Sequence, residues 1–348
     1  MRFEGAWTAL VTPMTDAGAV DWDGFHKNIQ FQISQGITGI VPVGTTGESP
    51  TLSWEEHNRA VETAVREAEG KCGALAGTGS NSTEEALEST GHAAEYGAKA
   101  ALLVDCYYNG PSSLELRKEY YDVVAAKYPD VAIVPYIIPG RTGTAMTPED
   151  LAILASERKN VRTVKEATGD LERMARTREL CGPDFAIMSG DDDLTFKMMT
   201  DPRIKAAGVI SVMSNIAPAA IRLMTRKAAE GDVKGAEDTR KALDPIFGVV
   251  VVKVNSIRTM SGGTTVEVSD RFRNPLPVKT MMNVLGMPSG TCRRPLGRMS
   301  ADGMRVLREA LTSVWENNPE ILEPVQDFYG VNLGERIADD GIWNALAY

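Results

Sequence analysis

Short apolar runs alternate with amphipathic helical stretches along this chain, and few folds accommodate that pattern. The alternation recurs at intervals of about thirty residues, the length of one βα unit. The runs are Trp7 to Thr12, Gly39 to Val43, Gly73 to Gly77, Ala100 to Val104, Val131 to Tyr136, Val161 to Lys165, Phe185 to Ser189 and Ala207 to Val212. Helical periodicity fills the gaps, as in Ser53 to Glu69, Thr83 to Tyr96 and Leu114 to Lys127. Ser53-Trp54-Glu55-Glu56 and Ser82-Thr83-Glu84-Glu85 mark helix starts, because a serine hydroxyl accepts from a free first-turn N–H and a glutamate reaches back. Eight strand–helix alternations predict a closed parallel (β/α)8 TIM barrel. A doubly wound open sheet would more often use fewer strands and a glycine-rich first loop, which is missing here.

The barrel occupies residues 1–229, and residues 230–348 read as a C-terminal helical region. Helical patterns run about Ala217 to Glu230, Val233 to Val254, Leu276 to Leu285 and Ala301 to Trp315. An insert at about 260–274 carries the β-like Thr264-Thr265-Val266-Glu267-Val268, and an extension begins at about 316.

Of the 348 residues 43% are hydrophobic, enough for a sizeable core, and the formal net charge is -10. That charge, with no long basic cluster, argues against nucleic acid and anionic membrane surfaces as partners. An anionic substrate would need local cations. Met1 to Gly5 lacks a signal-peptide pattern. The apolar run near Phe247 to Val252 stops at Lys253, too short to span a bilayer. Cys72, Cys106, Cys181 and Cys292 have no paired spacing and read as reduced thiols of a cytoplasmic protein. His26, His57 and His92 make no metal-ligand pattern, so no metal is expected.

Active sites of such barrels sit where strands end and βα loops begin. Lys165 closes the sixth run. Burial there disfavours its charged form and frees the amine as a nucleophile that can form a Schiff base with a carbonyl. On its own Lys165 reads more readily as a strand-end lysine paired with Glu166. The other strand ends change the balance. After the second run, Gly44-Thr45-Thr46-Gly47-Glu48-Ser49 offers glycines that let backbone N–H groups approach an anion, and threonine hydroxyls beside them. It suits a small carboxylate, or it is an ordinary tight turn. After the fifth run, Tyr136 offers a hydroxyl that can shuttle a proton. Arg141 offers a bidentate partner for a carboxylate. Taken singly, Tyr136 reads more readily as a core aromatic and Arg141 as a surface arginine. The seventh run ends in Ser189-Gly190-Asp191-Asp192, and the eighth is the small, apolar Gly208-Val209-Ile210-Ser211-Val212.

These motifs resemble the dihydrodipicolinate synthase / N-acetylneuraminate lyase family of pyruvate-dependent class I aldolases. The matching runs are GTTGES at Gly44, YYN at Tyr107, PGRTG at Pro139, KEATGD at Lys165 and SGDD at Ser189. The likeness covers Phe3 to about Val254 and resumes at Asn274-Pro275-Leu276-Pro277-Val278-Lys279. Ser49 and Arg141 resemble the synthase branch. Ile137 stands where the family usually has asparagine, and Cys106 where it usually has proline.

The resemblance implies that Lys165 forms a Schiff base with pyruvate. Tyr136 relays protons, linked by Thr45 to a Tyr108 that reaches in from a neighbouring subunit of a homo-oligomer, dimer or tetramer. Thr46 and Gly47 hold the pyruvate carboxylate, with Gly190 and Ile210 completing the substrate site. Arg141 binds the carboxylate of L-aspartate 4-semialdehyde. The product is 4-hydroxy-tetrahydrodipicolinate, on the route to lysine, with no cofactor beyond the covalent adduct. Ser49, Trp54, His57, Asn81, Glu85 and Tyr107 fall at positions resembling an allosteric L-lysine site. Other readings are a pyruvate-dependent aldolase or hydratase-aldolase of another 2-oxo acid, and a non-catalytic ligand-sensing relative.

Overall fold

The computed structural model describes residues 2–348. Its barrel strands are β1 Gly5–Ala9, β2 Gly39–Val41, β3 in two pieces (Gly73–Ala74 and Ala76–Gly77), β4 Ala100–Val104, β5 Ala132–Ile137, β6 Thr163–Glu166, β7 Ala186–Ser189 and β8 Gly208–Ser211. Every neighbouring pair is parallel, and β1 joins β2 on one side and β8 on the other. The two pieces of β3 close the ring. Gly73 and Ala74 pair back to β2, while Ala76 and Gly77 pair forward to β4. The (β/α)8 barrel read from the alternation is the fold.

Most strands are shorter than the apolar runs, although β4 matches its run and β5 continues to Ile137. β1 stops at Ala9 although the run continues to Thr12. Leu10 N still donates to the Val41 carbonyl at 3.0 Å, and Leu10, Val11 and Thr12 stay fully buried. Past Leu10 the run therefore marks burial, not strand pairing.

The barrel interior is organised around Trp7, which is 1% exposed. A Cβ on Gly39 or Gly73 would stand 2.3 or 2.4 Å from its indole ring. These strand glycines are room for the tryptophan, and their lack of a side chain is required by it. Val41, Leu75, Leu102, Val134, Met188 and Ile210 fill the rest of the interior.

Helix starts follow the local signals. Ser53 accepts from Glu56 N and Glu56 reaches back to Ser53 N, a complete capping box on Trp54–Ala68. Ser82 caps Thr83–Glu95 through Glu85 N. The barrel's last helix is Pro218–Ala229. The core runs unbroken past that point: Phe25, Ile29 and Ile40 of the barrel share one cluster with Leu285, Leu307 and Trp343.

Beyond the barrel one expectation is corrected. The helix from Val233 does not reach Val254 but ends at Phe247, followed by Gly248. Val251–Thr259 (β9) then pairs antiparallel with Thr265–Arg273 (β10). The valine run 249–252 prolongs the helical apolar spacing, yet β-branched side chains favour the strand. The region is thus helical with one hairpin, and the insert near 260–274 is its turn and returning strand. Leu276–Val284 and Ala301–Asn317 follow. The extension forms short helices at Glu323–Tyr329, Leu333–Ala338 and Asp340–Leu346. Among the described residues no helix is long and apolar enough to cross a membrane.

Candidate active site

Strand alternation sends Val164 and Glu166 outward and Lys165 into the barrel. Lys165 is 6% exposed, and its Nζ lies 4.1 Å from the centroid of the Tyr136 ring. The two residues are direct neighbours across β5 and β6. Burial lowers the Lys165 pKa to about 8, against the opposing pull of Asp191 and Asp192. Glu166 is not its partner: it faces the outer layer, where Arg173 Nε lies 3.4 Å from its carboxylate. The alternative of a lysine tied to Glu166 is removed by this geometry.

Burial pushes the Tyr136 hydroxyl up to about 12, while the Arg141 charge and a hydrogen bond with Thr45 pull the other way. Tyr136 therefore keeps its proton at neutral pH and is a donor rather than a base until a neighbour accepts from it. Burial also raises Asp191 to about 6, with Asp193 adding to the shift and Lys165 opposing it. A Cβ on Gly190 would meet Ala167 Cβ at 2.7 Å and Lys165 Cε at 3.3 Å, so this glycine leaves room for the lysine arm. Ile210 is fully buried on the inner wall.

The Gly44–Ser49 loop is bent at both ends by left-handed residues, Val43 at φ 48° and Glu48 at φ 58°. Such backbone costs about 1–3 kcal/mol per residue unless the surroundings hold it. Inside the bend the N–H groups of Gly47, Glu48 and Ser49 are consumed by Gly44 and Thr45 carbonyls. Among the described residues the N–H groups of Thr45 and Thr46 have no protein acceptor. The N–H groups this turn leaves free for a ligand are thus those of the two threonines. Gly47 serves close packing: a Cβ there would stand 2.9 Å from Val43 N.

Two residues with no assigned role in the motif reading hold this loop. Asn274 Nδ2 donates to Thr46 Oγ1 at 3.0 Å, and its carbonyl accepts from Arg141 at 2.9 Å. Lys279 Nζ donates to Glu48 Oε1 at 2.6 Å, with both side chains at most 1% exposed. The other Glu48 oxygen accepts from Arg293 N at 2.8 Å. Asn274 and Lys279 open and close the run Asn274 to Lys279, so a signal existed, but their partners lie more than 220 residues away.

A cavity of about 450 Å³ is lined by Thr45, Tyr136 and Arg141 together with Ser49, Trp54, His57, Glu85 and Tyr107. Lys165, Gly190 and Ile210 are not among its lining residues.

A profile of the dihydrodipicolinate synthetase family matches residues 2–314. The chain belongs to the dihydrodipicolinate synthetase family. It is an enzyme, a lyase, and 4-hydroxy-tetrahydrodipicolinate synthase from Methanothrix thermoacetophila is 39% identical over 90% of this chain and 97% of its own length. Dihydrodipicolinate synthase from Acinetobacter baumannii, solved with pyruvate, superposes with a TM-score of 0.79 at 34% identity, covering 90% of this chain and 99% of that one. The enzyme from Cyanidioschyzon merolae, solved with lysine bound, gives a TM-score of 0.79 at 34% identity over 90% of this chain and 98% of that one. The family profile ends at 314, close to where the sequence extension begins.

Five of the six residues expected from the resemblance to form an L-lysine site line this same cavity. Trp54 packs edge-on to His57 with ring centroids 5.2 Å apart, and burial lowers the His57 pKa to about 4, so its imidazole is neutral. Glu85 accepts from the Ser80 hydroxyl. Asn81 is the exception: it lines a neighbouring cavity with Cys106, Asn109 and Pro111. It stands one residue before the Ser82 cap. Tyr108 points away from its own chain, 92% exposed on a left-handed backbone of φ 73°. Ile137 is fully buried in the layer between barrel and helices. Its departure from the family pattern therefore falls outside the site.

Proposed function

We propose that the chain catalyses class I aldol condensation of pyruvate with L-aspartate 4-semialdehyde, giving 4-hydroxy-tetrahydrodipicolinate for lysine biosynthesis. The observation that carries this reading is Lys165: an inward-facing amine with its pKa lowered to about 8, 4.1 Å from the ring of a protonated tyrosine. At pH 7 roughly a tenth of such amines are neutral and able to attack a ketone.

In the proposed cycle Lys165 Nζ adds to the pyruvate carbonyl carbon. Tyr136 supplies the proton that lets the hydroxyl leave as water. Tyr136, left as a phenolate, takes a methyl proton from the resulting iminium to give an enamine, and returns that proton to the aldehyde oxygen as the enamine carbon attacks the aldehyde carbon. The substrate amine then closes on the former ketone carbon and expels Lys165, which regains its proton. The Thr45 and Thr46 N–H groups take the pyruvate carboxylate, and Arg141 takes the carboxylate of the aldehyde. No cofactor enters this scheme. Tyr108, turned out on a strained backbone, is proposed to complete the relay in a partner's site, which requires a homo-oligomer. L-lysine is proposed as an effector at Ser49, Trp54, His57, Glu85 and Tyr107.

Borohydride trapping tests the mechanism. With pyruvate, a reduced pyruvyl mass is expected on the Lys165 peptide, and labelling of another lysine, or of none, refutes it. A coupled assay with pyruvate and a panel of aldehydes then tests the second substrate. Faster turnover of a different aldehyde would move the activity to another member of the aldolase class.

A further inference from the structure

Small anions approach this chain against an unfavourable field, because its formal net charge is -10. The β9–β10 hairpin alters that field at one place. Its register sets Lys253 directly opposite Arg271 and Val251 opposite Arg273. Residues opposite one another share a face, as do residues two apart on one strand. Lys253, Arg271 and Arg273 are therefore on one face of the hairpin base.

At the hairpin base the other face packs apolar side chains. Val252 is 2% exposed and shares a core cluster with Val254 and Phe272. A Cβ on Gly303, in the helix Ala301–Asn317, would lie 3.4 Å from the Phe272 ring. Packing of that face holds the cationic face outward.

Two hydrogen bonds stitch this base to the site. Arg273 donates to the Gly140 carbonyl at 2.8 Å, and Arg141 donates back to the Asn274 carbonyl at 2.9 Å. Arg273 and Arg271 lie close enough for their charges to add to the burial that lowers the Arg141 pKa. Among the described residues none of Lys253, Arg271, Arg273 or Arg141 has a carboxylate partner. Arg258, farther up the same hairpin, is neutralised by Asp270 at 2.7 Å. Like charges opposite each other in a ladder are destabilising, so this cluster is maintained at a cost to the hairpin.

We propose that Arg271 and Arg273, backed by Lys253, form a cationic collar at the active-site mouth that gathers small monoanionic 2-oxo acids such as pyruvate. This rests on the pyruvate reading above and assigns a role to the hairpin. A zwitterionic amino-aldehyde has no net charge and gains little from long-range attraction. The collar and Arg141 thus divide the work: the collar speeds capture of the monoanion, and Arg141 holds a carboxylate once inside.

The test uses the full chain carrying Arg271→Gln with Arg273→Gln, and separately the charge reversal Arg271→Glu. The amide introduced by Arg273→Gln still offers a donor to the Gly140 carbonyl. At low ionic strength the double variant should lower kcat/KM for pyruvate about three- to tenfold, two exposed charges each supplying a modest factor. kcat should be unchanged, and kcat/KM for the semialdehyde should stay within about twofold. The difference should fade toward about 0.5 M salt as the screening length falls below about 10 Å, and Arg271→Glu should show the steeper loss. Equal pyruvate kcat/KM and equal salt dependence in wild type and variants overturn the collar. Calorimetric binding of oxalate separates this from failure of the pyruvate reading, since it needs no chemistry at Lys165. Weaker oxalate binding in the variant supports the collar even if wild-type Lys165 cannot be trapped with pyruvate. No oxalate binding by wild type at low salt, or equal binding in both, counts against it.

Discussion

Replacing Lys279 by methionine tests whether the Gly44–Ser49 turn is held by a buried charge. Lys279 donates to Glu48 at 2.6 Å, to the Thr12 carbonyl at 3.1 Å and to the Thr291 carbonyl at 3.3 Å. Lys279→Met keeps most of the volume and leaves Glu48, buried in the fold, without its cation. Removing one partner of a buried ion pair costs about 3–5 kcal/mol, because the other charge stays desolvated. For a chain of 348 residues that lowers Tm by about 4–7 °C. Glu48 also occupies a left-handed backbone at the end of the turn, so the loss should reach function, weakening pyruvate capture as read by borohydride trapping at Lys165. Adding Glu48→Gln removes the orphaned charge while leaving an acceptor for Arg293 N. The double variant should recover more than half of the lost stability, the remaining deficit being about 1–2 kcal/mol for the missing hydrogen bonds. Urea denaturation of the four chains of the cycle measures the coupling. A single-variant loss below about 1 kcal/mol, or a double variant as unstable as the two singles added together, would show that Glu48 does not depend on this cation.

Tyr136→Phe should keep the fold and lose about 10²- to 10⁴-fold in kcat, the usual worth of a positioned proton donor, with melting followed alongside turnover to exclude unfolding. Trapping of pyruvate at Lys165 should accelerate as pH rises through about 8, where the amine becomes neutral; a rate flat from pH 6 to 9 would contradict the burial of its charge. The same depressed pKa means the unfolded chain binds the proton that the folded chain has lost between about 8 and the ordinary 10.5. The Lys165 penalty is therefore full below pH 8 and relieved as pH rises to 10.5, and Lys165→Met should flatten that part of the stability profile. L-lysine should bind saturably by calorimetry and inhibit partially and non-competitively, with Glu85→Ala weakening both effects; no binding at millimolar lysine would leave Glu85 as a structural partner of Ser80.

The barrel is legible in the residues alone, because both of its signals are local. Strand and helix periods differ, and eight alternations at one spacing leave little choice of topology. Lys165 is legible as the nucleophile candidate for the same reason, since alternation along β6 turns Lys165 inward and Glu166 outward. The Ser53 capping box can be read from residues three apart. Three matters were settled only by the folded chain. The valines after Phe247 form β9 and not more helix, because short β-branched runs fit both periods until a partner strand is present. Among the described residues Thr45 and Thr46 keep N–H groups without a protein acceptor, whereas Gly47 and the two residues after it spend theirs inside the turn. The Glu48–Lys279 and Thr46–Asn274 contacts join residues 231 and 228 positions apart. No local pattern carries such pairs: barrel closure brings them together, and burial then makes each polar group depend on the partner it finds there.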